Sequence, residues 1–151
     1  MIDGVKLKTL KANVDERGYL MELLREDDEI YQKFGQCYIA LNYPGVIRAW
    51  HYHKVQTDFF AVAKGAIKLV LYDNRPGSPT NGAVEEYFLS EHNPLMVSVP
   101  PEVLHGYKTI GTEPSLLINF PTEAYNPRHP DEYRLPFDSQ EVPYDWAIKM
   151  R

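Results

Sequence analysis

The sequence is short of cysteine, of long apolar runs and of positive charge. Cys37 is the only cysteine among 151 residues, so no disulfide can form within the chain, which is typical of a reducing compartment. No run of about 18 apolar residues is present to span a membrane, and the first residues lack a signal-peptide apolar region. The formal net charge of -5 disfavours a sequence-independent nucleic-acid binder, which needs a basic face. These features predict a cytoplasmic protein without nucleic-acid or membrane partners.

The length and the apolar pattern predict one all-β domain over residues 1–151. Short runs rich in Val, Ile, Tyr and Phe alternate with turn residues, which is typical of an antiparallel sandwich or barrel. Segment 21–34 fits either a helix or a turn. The tail from residue 121 carries five prolines, so we expect it to pack across the domain through its aromatic side chains rather than form a long helix. The predicted strands are 37–41, 47–52, 59–63, 67–72, 87–89, 95–99 and 116–120.

Segment 45–58 carries the strongest functional signal. His51 and His53 are separated by one residue, so they point to the same face if the segment is a strand. If the chain then turns, Asp58 begins the returning strand of a hairpin and faces the same space. His105 is a fourth candidate from further along the chain. Three imidazoles and a carboxylate suit Zn, Fe, Mn, Ni or Co, although a metal-free polar pocket is the alternative.

The spacing of Gly45, His51, His53, Asp58 and Gly65 resembles the first motif of the cupin superfamily. Several longer blocks resemble dTDP-4-dehydrorhamnose 3,5-epimerase and related sugar-nucleotide epimerases. The resemblance implies a cupin jelly roll, a homodimer, and an isomerase acting on a nucleotide-linked 4-keto-6-deoxysugar in carbohydrate biosynthesis. The blocks that carry it include Arg48-Ala-Trp-His51-Tyr, Arg75-Pro-Gly-Ser78-Pro-Thr80, Val99-Pro-Pro-Glu-Val-Leu-His105-Gly-Tyr and Tyr125-Asn-Pro127.

The same resemblance implies roles for individual residues. His51 matches the family's base, Tyr125 matches its tyrosine acid, and His105 matches a histidine that polarises the ketone oxygen. Arg48 matches an arginine near the diphosphate. Arg25 and Gln36 match nucleotide contacts. The block from Arg75 to Thr80 is most simply a structural turn, because proline and glycine fix its backbone.

This sequence departs from the family pattern at three points. Asp58 stands where the family has a lysine, His53 stands where it usually has glutamine, and the family's orienting aspartate lies beyond its tryptophan, whereas this sequence ends five residues after Trp146. The first two changes predict a metal set of His51, His53, Asp58 and His105, in which a cation replaces the lysine. A metal-bound nitrogen of His51, however, has no lone pair left to act as a base. The alternatives are therefore a metal-dependent cupin of other chemistry, such as an oxygenase or sugar-phosphate isomerase, and a non-catalytic sugar-binding cupin.

Overall fold

The computed structural model describes residues 1–150, and within this range the regular structure is entirely β. No helix in it has the length and hydropathy that a membrane crossing requires. The all-β prediction is therefore confirmed. The strands are β1 Lys6–Thr9, β2 Ala12–Asp15, β3 Gly18–Met21, β4 Tyr38–Asn42, β5 Ile47–Tyr52, β6 Asp58–Lys64, β7 Ala66–Tyr72, β8 Val84–Ser90, β9 Leu95–Val99, β10 Leu104–Ile110, β11 Ser115–Asn119 and β12 Tyr133–Arg134.

Ten of these strands form two antiparallel sheets of a jelly-roll sandwich. The first sheet has the order β1-β9-β6-β11-β4, and the second has the order β12-β5-β10-β7-β8. Strands β2 and β3 form a separate hairpin. Because β5 and β6 lie in different sheets, the segment between them crosses from one layer to the other. The two strands therefore do not form the hairpin that the spacing of Gly45 and Gly65 suggested.

The main core lies between the two sheets. Side chains of alternate residues on β6 and β7, such as Phe60, Val62, Leu69 and Leu71, are almost completely buried there. This alternation is the period-two pattern expected when one face of a strand meets the core. The sandwich is thus held by the apolar runs that the sequence showed most clearly.

Strand β10 was absent from the predicted strands, although it carries His105. Its sequence includes Gly106 and Lys108, which interrupt the apolar pattern. A Cβ at Gly106 would lie 2.3 Å from the Cβ of Ala49 on the neighbouring strand β5. Glycine therefore allows β5 and β10 to approach closely, and the register shifts between His105 and Tyr107. Met21 ends β3, and residues 22–34 form turns and irregular chain without a helix.

The segment after residue 121 contacts the outer side of the second sheet. Tyr133 and Arg134 pair with β5 as the short strand β12. Further on, Val142 and Trp146 are buried in a cluster with Trp50, and the two tryptophan rings lie 4.9 Å apart between centroids. The pairing of β12 places Glu132, Arg134 and Leu135 in the lining of a cavity between the sheets.

Candidate active site

A cavity of about 380 Å³ opens between the two sheets. It contains the histidines and the carboxylate that the sequence singled out, together with one of the predicted substrate-binding arginines. We call it the sugar cavity below, after the substrate class that the family resemblance implies. Its lining includes Tyr38, Arg48, His51, His53, Asp58, His105, Tyr107, Glu132 and Arg134.

The two sheets contribute different members of this group. His51 on β5 and His105 on β10 are directly paired across the second sheet. His53 follows one residue after β5 ends, and Asp58 is the first residue of β6 in the opposite sheet. The chain crossing between the sheets therefore brings Asp58 to the histidines, as the spacing predicted, but from the facing wall.

Asp58 is the centre of a hydrogen-bonded network, and its side chain is only 2% exposed. Its Oδ1 accepts hydrogen bonds from Gln56 Nε2 and Asn119 Nδ2, both at 2.8 Å. Its Oδ2 lies 3.0 Å from His53 Nε2 and 3.3 Å from His105 Nε2. Burial opposes ionisation, but the hydrogen bond from His53 and the electrostatic attraction of both imidazoles outweigh it and lower the pKa of the carboxyl.

Main-chain carbonyl groups fix the other side of each imidazole. His53 Nδ1 contacts the carbonyl oxygen of Asp131, and His105 Nδ1 lies 3.1 Å from that of Val103. Burial lowers the pKa of His105 to about 4, so it is neutral at neutral pH. Burial also opposes charge on His53, but its hydrogen bond to Asp58 prevails and raises its pKa. In His53 and in His105, both ring nitrogen atoms therefore face an oxygen.

His51 is in a different situation. Burial, followed by the charge of Arg134, lowers its pKa, which keeps the imidazole neutral. Within residues 1–150, its ring nitrogens take part in none of the hydrogen bonds of the network around Asp58. The ligand atoms of His53, Asp58 and His105 lie within 4.8 Å of one another, and His51 does not belong to this set. Three of the four predicted ligands are thus brought together, whereas His51 stands apart from them and keeps a lone pair.

The remaining predicted residues divide among three places. Arg48 lines the sugar cavity, where its Nε donates to Asn42 Oδ1 at 2.5 Å. Gln36 and Tyr125 line a neighbouring cavity of about 560 Å³, which we call the outer cavity. Gln36 Oε1 accepts a hydrogen bond from the main-chain nitrogen of Tyr125, whose side chain is mostly exposed. Arg25 lines neither cavity.

Three residues of the sugar cavity were missed as site residues. In the sequence, nothing distinguishes Tyr38 from any other tyrosine of a strand. Glu132 and Arg134 lie in the proline-rich tail, where a strand of two residues is too short to show a period. Arg134 is paired with His51 across β12 and β5, and its guanidinium binds Glu132. Only the pairing of the tail with β5 reveals the position of Glu132 and Arg134.

Known proteins resemble this chain over its whole length. A family model described as dTDP-4-dehydrorhamnose 3,5-epimerase matches residues 1–151. The chain is 42% identical to the spore coat polysaccharide biosynthesis protein SpsL of Bacillus subtilis, over 100% of both sequences. It is 44% identical to the probable low-salt glycan biosynthesis epimerase Agl13 of Haloferax volcanii, over 99% of this chain and 97% of that protein.

Solved structures of the same kind superpose closely. A dTDP sugar isomerase from Desulfovibrio desulfuricans matches with a TM-score of 0.91 and 31% identity, over 96% of this chain and 92% of the other. The epimerase RmlC from Legionella pneumophila, in complex with dTDP-4-keto-L-rhamnose, matches with a TM-score of 0.85 and 25% identity, over 99% and 81%. Sequence and fold agree over nearly the whole chain, and the protein therefore belongs to the dTDP-4-dehydrorhamnose 3,5-epimerase family of sugar-nucleotide epimerases.

Proposed function

We propose that this protein epimerises a dTDP-linked 4-keto-6-deoxysugar at a carbon next to the ketone, with His51 as the base. The observation that carries the proposal is the neutral His51 imidazole, which lines the sugar cavity outside the hydrogen-bonded network around Asp58. Family membership and the dTDP-4-keto sugar bound by the Legionella relative support the choice of substrate.

The chemistry needs one base and a means to stabilise negative charge. A proton on a carbon next to a ketone is acidic because the resulting carbanion delocalises into an enolate. A neutral imidazole accepts such a proton and later releases it near neutral pH. Groups aimed at the ketone oxygen lower the barrier most, because negative charge develops there. His105 and His53 lie on the same side of the cavity as His51, and we propose that they supply this stabilisation through the cation that they would hold with Asp58.

Asp58 at the lysine position of the family changes how the charge is balanced. An unpaired carboxylate would oppose an enolate. Here the carboxylate accepts four contacts, from Gln56, Asn119, His53 and His105. Its charge is therefore directed at the two imidazoles and away from the substrate. In this proposal, Asp58 orients the histidines.

We further propose that His53, Asp58 and His105 hold one divalent cation. The neutral His105 imidazole carries a single N–H, yet both of its ring nitrogens face an oxygen. His53, Asp58 and His105 would hold the cation, and each histidine would still donate its Nδ1–H to a main-chain carbonyl. Metal-binding histidines in proteins usually donate their other ring N–H in this way. A cation held there would polarise a ketone oxygen in the cavity.

Metal binding has a direct test that does not depend on activity. The chelated protein is reloaded in turn with Zn, Mn, Fe, Ni and Co, and bound metal and thermal stability are measured. We expect about one equivalent of at least one metal, and a rise in Tm of about 5–10 °C, since a ligand at 100 times its Kd adds about 2.7 kcal/mol. Asp58→Asn should lose both effects, and the exposed Asp138→Asn serves as the matched control. Less than a tenth of an equivalent of every metal would rule the cation out.

The outer cavity is the proposed site for the nucleotide part of the substrate. It shares Tyr38, His53 and Glu132 with the sugar cavity, so one extended ligand reaches both. Arg48 lies in the sugar cavity, where its planar guanidinium suits a diphosphate oxygen. Gln36 and Tyr125 line the outer cavity.

We also propose that the protein is a homodimer. Strand β4 is the edge of the first sheet, and its outward side chains Ile39 and Leu41 are more than half exposed. Exposed apolar side chains on an edge strand are a liability unless another surface covers them. Arg25 is exposed and bound to Glu22 and Asp27. It would reach a nucleotide only if that nucleotide were held by a second copy.

The function is tested by incubating the protein with dTDP-4-keto-6-deoxyglucose in D₂O and following the sugar by NMR. We expect deuterium to enter next to the ketone and an epimer to appear. Binding of the sugar nucleotide without exchange would instead support a non-catalytic cupin. Metal binding without exchange would support a cupin of other chemistry.

A further inference from the structure

We propose that Tyr38 donates the proton that completes inversion, to the face of the sugar opposite His51. The proposal rests on the epimerase function above and concerns a residue that the sequence did not single out. It differs from the expectation taken from the family resemblance, which gave the acid role to Tyr125.

The hydroxyl group of Tyr38 is held at the edge of the network around Asp58. Tyr38 on β4 is directly paired with Asn119 on β11. Asn119 Nδ2 donates to Tyr38 Oη at 3.0 Å and to Asp58 Oδ1 at 2.8 Å. The two hydrogens of the amide are thus both used. Because Tyr38 Oη is the acceptor in its bond, the hydroxyl hydrogen remains for a ligand in the cavity.

Tyr38 and His51 lie on opposite walls. Tyr38 belongs to the first sheet and His51 to the second, and both line the sugar cavity. Inversion requires that the proton leave one face of the carbon and return to the other. A base and an acid on facing sheets meet this requirement for a flat enolate held between them.

The other tyrosines are less suited to the role. Tyr107 lines the same cavity, but its hydroxyl group is directed at Asn42 Oδ1 at 3.5 Å. Tyr125 lines only the outer cavity and is 59% exposed, whereas Tyr38 lines both cavities and is 43% exposed. Partial burial of the phenol raises the pKa of Tyr38 to about 12, so it keeps its proton at neutral pH.

The proposed step conserves protons. His51 takes the proton next to the ketone, the C–H pair moves into the enolate, and the carbonyl π pair moves to oxygen. The enolate then collapses, the carbon takes the Tyr38 O–H proton on the opposite face, and the ketone re-forms. The phenolate regains a proton from solvent while the imidazolium loses one to it. The net result is an inverted carbon and an unchanged protein.

The test separates inversion from exchange. In D₂O, Tyr38→Phe should lower epimer formation by about 10²–10⁴-fold, the usual contribution of a general acid. Deuterium should still enter the unchanged sugar, because the imidazolium exchanges with solvent and returns a deuteron to the same face. A purely structural role would lower both rates together. Tyr125→Phe is measured in parallel to compare the two tyrosines. The exposed Tyr19→Phe, which lines neither cavity, is the control and should invert within about threefold of the wild-type rate.

Three results would overturn the proposal. Inversion by Tyr38→Phe at the wild-type rate would exclude Tyr38, as would an equal loss of exchange and inversion. Loss of inversion in Tyr125→Phe, with Tyr38→Phe unaffected, would assign the acid to Tyr125. All three results require that the wild-type protein exchanges deuterium into the sugar. If the wild-type protein shows no exchange, the epimerase function itself has failed, and this outcome is distinct from the three above.

Discussion

Among single residues, Asp73 shows how hydrogen-bond partners stabilise a buried carboxylate. It is completely buried after β7 and accepts hydrogen bonds from Arg75 and from the hydroxyl groups of Ser78 and Thr80, the latter two at 2.6 Å. The sequence block from Arg75 to Thr80 is therefore a closed turn around one charge. It lines neither the sugar cavity nor the outer cavity, in keeping with its prediction as a structural turn.

Replacing this carboxylate should destabilise the protein without changing the site. We expect Asp73→Asn to lower the free energy of unfolding by about 2–4 kcal/mol, because Arg75 and two hydroxyl groups lose their charged acceptor. Urea unfolding measures the change, and the exposed Asp138→Asn is the control. An effect below about 0.5 kcal/mol, the range of ordinary surface substitutions, would show that the turn does not depend on the charge.

The same residue predicts a direction for the pH dependence. The hydrogen bond from Arg75 holds the pKa of Asp73 well below its usual range. A carboxyl whose pKa is depressed by folding stabilises the protein above its unfolded pKa of about 3.9, and the stabilisation is lost as pH falls below that value. Wild-type stability should therefore fall more steeply than that of Asp73→Asn from about pH 5 downward. Parallel curves would contradict this assignment.

At the scale of the elements, prediction from sequence succeeded where the apolar runs were clear. Segments 47–52 and 95–99 match β5 and β9, because short runs rich in apolar, aromatic and β-branched residues favour strands. The pairing of β5 and β6 was wrong, since sequence spacing does not reveal which sheet a strand joins. Strand β10 was missed because Gly106, which allows β5 and β10 to approach closely, interrupts the apolar pattern. The histidine and aspartate positions were found, whereas Tyr38, Glu132 and Arg134 depend on pairings that no local pattern shows.

The close contact of β5 and β10 makes Gly106 a sensitive position. In Gly106→Ala, the new Cβ would lie 2.3 Å from Ala49 Cβ and 2.9 Å from Ala49 Cα, so the strands must separate. We expect a loss of about 1–3 kcal/mol in the free energy of unfolding, as for other overpacked sites. Adding Ala49→Gly should recover part of it. A single variant as stable as the wild type would contradict the close packing of these strands.

At the scale of the whole molecule, the proposed reaction draws its groups from both sheets. The second sheet carries His51 and His105, and the first carries Asp58 and Tyr38. Exposed apolar side chains on β4 remain outside this arrangement. They are the surface on which the proposed dimer depends.

The dimer proposal is tested by light scattering at micromolar concentration. We expect the mass of two chains for the wild-type protein, and of one chain for Ile39→Glu/Leu41→Glu, since charges on an edge strand oppose pairing. Glu91→Gln, an exposed change away from β4, is the control. A wild-type monomer would remove the dimer and the role proposed for Arg25.

The central claim is that His51 removes the proton next to the ketone, and solvent exchange tests it most directly. Wild-type protein and His51→Asn are compared for deuterium uptake into dTDP-4-keto-6-deoxyglucose, with the exposed His92→Asn as the control. We predict that His51→Asn loses exchange and epimer formation together, by about 10²–10⁴-fold, while His92→Asn behaves as wild type. Exchange by a folded His51→Asn protein at the wild-type rate would contradict the account.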